Sequence, residues 1–98
     1  MKLRWLRSGS ESLRNQVSYI SDRHPDAATK VRRKIRLAVL RLSEFPESGR
    51  LGSMPGTREI VVPGLPYLVI YRVRPAGVEI LRVFHTSMNI PVAKSPDS

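Results

Sequence analysis

Apolar and polar positions along the chain change their period twice, and each change marks a new kind of element. Lys2 to Leu6 (KLRWL) alternates and is short, which predicts an opening strand. Leu13, Val17 and Ile20 then recur at helical spacing. Ser8 followed by Glu11 makes a capping-box pattern, so a first helix is expected from about Gly9 to Arg23. HPDAA at 24–28 interrupts and restarts the helix: Pro25 is tolerated at a first helical position, and Asp26 suits the positive end of the helix dipole. In the second helix Ala28, Val31, Ile35, Ala38, Leu42 and then Phe45 form one apolar stripe, and Lys30, Arg32, Arg33, Lys34, Arg36 and Arg41 take the other faces. The two helices should form a hairpin. Leu37 and Leu40 fall off the stripe and offer apolar surface to a partner.

From Phe45 to Thr57, Pro, Gly and Ser concentrate and the helical pattern stops, which predicts a connecting loop. REIVV (58–62), YLVIYRV (67–73) and VEILRVF (78–84) are rich in β-branched and aromatic residues and are separated by PGLP and RPAG, as in an antiparallel meander. The expected order is β-α-α-β-β-β, an α+β fold with the helical hairpin packed on one face of an antiparallel sheet. Residues 1–90 should form one domain and 91–98 (PVAKSPDS) a flexible tail.

Strand alternation puts Tyr67, Val69, Tyr71 and Val73 on one side and Leu68, Ile70, Arg72 and Arg74 on the other. On the last strand Val78, Ile80, Arg82 and Phe84 oppose Glu79, Leu81, Val83 and His85. Both faces carry hydrophobic residues, yet two helices cover only one. Full burial of such a side chain stabilises by roughly 1.5–3 kcal/mol, so the second face is expected to take a partner. Arg58, Arg72, Arg74 and Arg82 would give that site a positive rim suited to carboxylates or phosphates; the plainer alternative is a solvated face under the C-terminal segment.

Composition narrows the function. The 98 residues suit one domain, and 41% hydrophobic with 26% charged residues argues against disorder. With no cysteine and two histidines that lack ligand spacing, neither a disulfide nor a metal site is expected, and no cofactor is indicated. The N-terminus lacks a signal-like apolar run and no window approaches a membrane span, so a cytoplasmic protein without membrane contact is expected. A net charge of +9 implies an anionic partner. The basic helix could neutralise phosphates, but no aromatic stacking set accompanies it; direct nucleic-acid binding is therefore the weaker expectation, and docking of an acidic protein the stronger.

Three stretches carry a resemblance: SYISDRHPDAA (18–28), LSEFPESGRLGSMPGTREIVV (42–62) and PYLVIYRVRPAGVEILRVFH (66–85). In this order and spacing they resemble the RelE/ParE superfamily of toxins from type II toxin–antitoxin systems, and GTREIVV followed by YRV and VEILRVFH looks ParE-like. The resemblance implies inhibition of DNA gyrase through its A subunit and silencing by a cognate ParD-like antitoxin with an acidic C-terminal segment. It suggests Arg58, Arg72, Arg82 and His85 as target contacts, and Leu37, Leu40, Leu68, Ile70 and Arg74 as antitoxin contacts. RelE-like relatives instead cleave mRNA on the ribosome. That chemistry needs a base, a cation for the phosphorane and an acid within reach of one another, for which Arg58, Arg82, His85 and Tyr71 are the candidates; Glu59 should instead pair with an arginine across the sheet. A third possibility is a relic that only binds its antitoxin.

Overall fold

In the computed structural model, which describes residues 1–86, the chain forms β1 (Leu3–Trp5), α1 (Arg7–Ser21), α2 (Pro25–Leu40), a 3-10 turn (Arg41–Ser43), β2 (Arg50–Leu51), β3 (Arg58–Val61), β4 (Tyr67–Arg74) and β5 (Gly77–His85). The expected tail at 91–98 lies outside the described residues. The expected order β-α-α-β-β-β holds, with two refinements. The sheet is mixed, in the order β1-β5-β4-β3-β2, because β1 pairs in parallel with β5 while every other pair is antiparallel. Two residues of the expected loop, Arg50 and Leu51, also add a short edge strand beside β3.

The helical hairpin covers one face of this sheet. Leu13 of α1, Ile35, Ala38 and Val39 of α2, and Leu42 of the following turn pack against Val69, Tyr71, Val78, Ile80 and Val83 in a single core. The α2 stripe enters the core through Ala28, Ile35, Ala38 and Leu42, but Phe45 does not: it is 56% exposed. The α-helix ends at Leu40, and the tighter 3-10 turn rotates the chain before Phe45, whose N–H still bonds the Arg41 carbonyl at 2.9 Å.

The β4–β5 register departs from simple alternation. Ile70 faces Arg82 and Tyr71 faces Ile80, so Leu81 is an extra residue in a β-bulge. Downstream of it the faces exchange. Val83 joins Val78 and Ile80 in the core, while Arg82 and Phe84 move to the side away from the helices, alongside Glu79. The expected grouping of Val78 and Ile80 with Arg82 and Phe84 is therefore corrected by the one-residue insertion.

Helix α1 holds the bulge. The Ser8 hydroxyl donates to the Leu81 carbonyl at 2.7 Å, and the Val83 N–H donates to the Ser12 hydroxyl at 2.8 Å, which itself donates to the Gly9 carbonyl. Ser8 therefore does not cap α1: the N-cap is Leu6, and the expected capping box is replaced by a bond to the sheet. Gly9 permits this approach, because a Cβ there would lie 2.4 Å from the Ile80 carbonyl oxygen.

Candidate functional site

The sequence-predicted candidates fall on opposite sides of the sheet. Arg58 and Tyr71 are paired in register across β3 and β4, and the neighbouring β5 residue is Ile80, which places all three on the helix-covered face. His85 pairs with Tyr67 on this same face, their rings meeting edge to face at 5.1 Å. Burial pushes the Tyr67 phenol above its usual range. Arg72 and Arg82 occupy the other face.

Tyr71 and Arg58 are committed to the loop that follows α2. The Tyr71 ring is fully buried; its hydroxyl donates to the Pro46 carbonyl at 2.8 Å and accepts from the Gly49 N–H at 2.9 Å. Gly49 leaves room for that hydroxyl, since a Cβ would sit 2.5 Å from it. Arg58 donates to the Gly49 carbonyl at 2.7 Å and to the Glu47 carbonyl at 3.4 Å. Both side chains satisfy loop backbone that would otherwise lie against the sheet without partners. As a proton donor or acceptor for a substrate, Tyr71 has neither access nor a free hydroxyl.

On the open face, three cross-strand rows run side by side. Val61, Leu68 and Phe84 form an apolar row, in which Leu68 is itself buried at 8% exposure and Val61 is exposed. The apolar surface there is smaller than alternation implies, and Leu68 offers a partner little area. The second row is Arg50, Glu59, Ile70 and Arg82. Arg50 donates to the Glu59 carboxylate at 3.1 and 3.2 Å, the expected cross-sheet pair. Arg82 is exposed and, among the described residues, has no ion pair.

Arg4, Glu79 and Arg72 make the third row. The Arg72 Nε donates to Glu79 Oε1 at 2.7 Å, and Arg74 Nε lies 3.9 Å from the same oxygen. The Arg72 hydrogen bond, with the charges of Arg72, Arg74 and Arg4, holds the Glu79 carboxyl below the usual glutamate range despite some desolvation. Three guanidiniums thus share one carboxylate, leaving a net positive cluster beside β1.

Leu37 and Leu40 are exposed at 54% and 57%. With Leu3 and Trp5 of β1 and Arg32, Arg33 and Arg36 of α2 they line an open groove of about 460 Å³. The Arg36 guanidinium lies 5.8 Å from the Trp5 ring centre. Sequence reasoning finds the two leucines, but it misses Trp5 and Arg4, because three residues of strand do not reveal which neighbour they will join. Among the described residues no helix is long and apolar enough to cross a membrane.

Comparison with known proteins agrees with this geometry. The family described as "ParE toxin of type II toxin-antitoxin system, parDE" matches residues 3–90. "Putative toxin Y4kP" of Sinorhizobium fredii is 39% identical over 90 residues, spanning 92% of this chain and 93% of that protein. "Toxin RelE2" of Caulobacter vibrioides is 35% identical over 69 residues, 70% of this chain and 76% of that one. A solved structure described as "Chromosomal ParDE TA system from P. aeruginosa" superposes with a TM-score of 0.78 at 25% identity, covering 87% of this chain and 95% of that one. A basic two-helix layer on a mixed five-stranded sheet and a match along nearly its whole length place the chain in the ParE toxin family, within the RelE/ParE superfamily of type II toxin–antitoxin systems.

Proposed function

We propose that this toxin acts by binding: it inhibits DNA gyrase through the A subunit and is neutralised in the cytoplasm by a cognate antitoxin with an acidic C-terminal segment. One observation carries the choice of binding over catalysis. The groups that RNA cleavage would need to bring together are divided by the sheet, with Arg58, Tyr71 and His85 on the helix side and Arg82 on the other. General acid–base catalysis requires its groups within hydrogen-bond reach of a common substrate, and side chains on opposite faces do not share one. Arg58 and Tyr71 are further held by the 46–49 loop, and Glu59 by Arg50.

Gyrase contact then falls to the open face, where Arg82 is exposed and Arg72 lies one row away; His85 and Arg58 serve the fold instead. The antitoxin contacts are Leu37, Leu40, Ile70 and Arg74, with Leu68 removed by its burial. The Pseudomonas neighbour, described as a ParDE toxin–antitoxin system, supports a protein partner of this kind. Expression without antitoxin tests the proposal. Stabilised double-strand breaks and loss of supercoiling by purified gyrase are expected; codon-positioned mRNA cuts, the activity implied by a RelE-like relationship, would overturn it, and an absence of any toxicity would mark a relic.

A further inference from the structure

Helix α2 and the turn after it carry a row of cations that the fold leaves without partners. Lys30, Lys34 and Arg41 recur at intervals that put them on one flank of the helix. All three are exposed, and among the described residues none has an ion pair. No acid occurs between Asp26 and Glu44 to meet them. Lys30 with Lys34, and Arg32 with Arg36, are like charges one turn apart, an arrangement that disfavours a helix. Only Arg41, at the C-terminal end of α2, meets a favourable helix dipole. The row therefore weakens the isolated chain, and an anion outside the chain would relieve it. Beside the row, on the flank of α2 away from β1, Leu37, Ala38, Val62 and Pro63 line an open recess of about 300 Å³ together with Lys34 and Arg41.

We infer that this flank of α2 binds the sugar–phosphate backbone of duplex DNA. That polymer alternates anionic phosphates with apolar deoxyribose, and the flank sets cations beside apolar side chains: Lys30 and Lys34, then Leu37 and Ala38, then Arg41. At a helical rise of about 1.5 Å per residue the row extends about 16 Å, longer than the roughly 12 Å width of the major groove, so its ends reach phosphates on both sides. Such contacts fix position and read no base sequence. No aromatic side chain stands in the row or the recess to stack on bases, which disfavours a single strand and leaves the duplex. The choice of DNA among polyanions rests on the proposal that the target is gyrase, an enzyme that holds duplex DNA while it works. The helices and the open face lie on opposite sides of the sheet. The toxin thus touches gyrase with one side and the DNA with the other.

The full chain is titrated into a labelled DNA duplex of about two helical turns, followed by fluorescence anisotropy over a range of salt. Saturable binding is expected. Lys30→Gln, Lys34→Gln and Arg41→Gln combined should weaken it about tenfold or more and make the salt slope shallower by about three. This set relieves like-charge repulsion within the helix, so its thermal midpoint should not fall. Arg4→Gln, Arg74→Gln and Arg82→Gln combined remove the same charge from exposed positions on the open face and should keep most of the affinity, while Lys30→Arg, Lys34→Arg and Arg41→Lys combined should keep all of it. Equal losses from the two glutamine sets would reduce the binding to net charge and overturn the inference, as would equal affinity for a single strand or for a polyglutamate of the same charge. Purified gyrase separates this site from the target itself. If the α2 glutamine set binds the A subunit yet stabilises fewer double-strand breaks, DNA contact and gyrase binding both stand. If that set binds the duplex as the unaltered chain does and still inhibits gyrase, the α2 site falls alone; if the unaltered chain leaves gyrase untouched, the target proposal fails and the anisotropy decides the site by itself.

Discussion

At the level of single residues, Tyr71 shows how one side chain can decide between chemistry and architecture. Its hydroxyl makes both of its hydrogen bonds to the 46–49 loop. Tyr71→Phe leaves the Pro46 carbonyl and Gly49 N–H unsatisfied and should lower stability by about 1–3 kcal/mol, measured as a shift in the urea midpoint. The strand pattern puts Tyr71 on an apolar face and so favours a packed role, but its partners are 22 and 25 residues away and no local pattern names them. Glu79 makes a second residue-scale case. Its carboxyl is held below its ordinary value of 4.5 by Arg72 first and then by Arg74 and Arg4. A depressed folded-state pKa contributes stability that is present above the unfolded value and lost as pH falls through the folded one. Acid unfolding followed below about pH 4.5 should therefore be less steep in Glu79→Gln than in the unaltered chain. Because the pair sits at the surface, the difference should shrink as salt is added.

Among the elements, β5 departs most from what its sequence suggests, and α1 is the reason. Strict alternation in VEILRVFH would put Arg82 beside Ile80, on the core face. A bulge at Leu81 corrects this, and serines one helical turn apart take the backbone groups it releases. Ser12→Ala should cost about 1–3 kcal/mol by orphaning the Val83 N–H, and amide exchange at Val83 should accelerate accordingly. Gly9→Ala forces α1 away from the Ile80 carbonyl and should cost more than Ser12→Ala on the same measurement. Helices, strands and their order are legible because hydrophobic period is local. The bulge is not, since Ser8 and Leu81 are 73 residues apart and Ser8 also satisfies the local signature of a helix cap. The end of α2 is hidden for a similar reason: Phe45 continues the helical period in sequence after the 3-10 turn has already broken it in space.

Over the molecule as a whole, the charge of +9 sets how partners approach. Steered association falls steeply with ionic strength, so the on-rate for an acidic antitoxin segment should drop about tenfold or more between low and high salt, measured by stopped-flow with Trp5 emission. A salt-insensitive on-rate would show that the arginine clusters do not guide the encounter. The family is readable from motif order, and the divided site is not, because the faces that Arg82 and His85 take depend on the bulge. The parallel pairing of β1 with β5 brings the first strand beside the last. It also governs the birth of the protein. While residues 77–85 remain inside the ribosome, β1 has no seat, β4 lacks its inner neighbour, and Val78, Ile80 and Val83 are missing from the core. Without β5 the first strand has no seat and the core stays open, so folding waits on a contact between segments far apart in the chain.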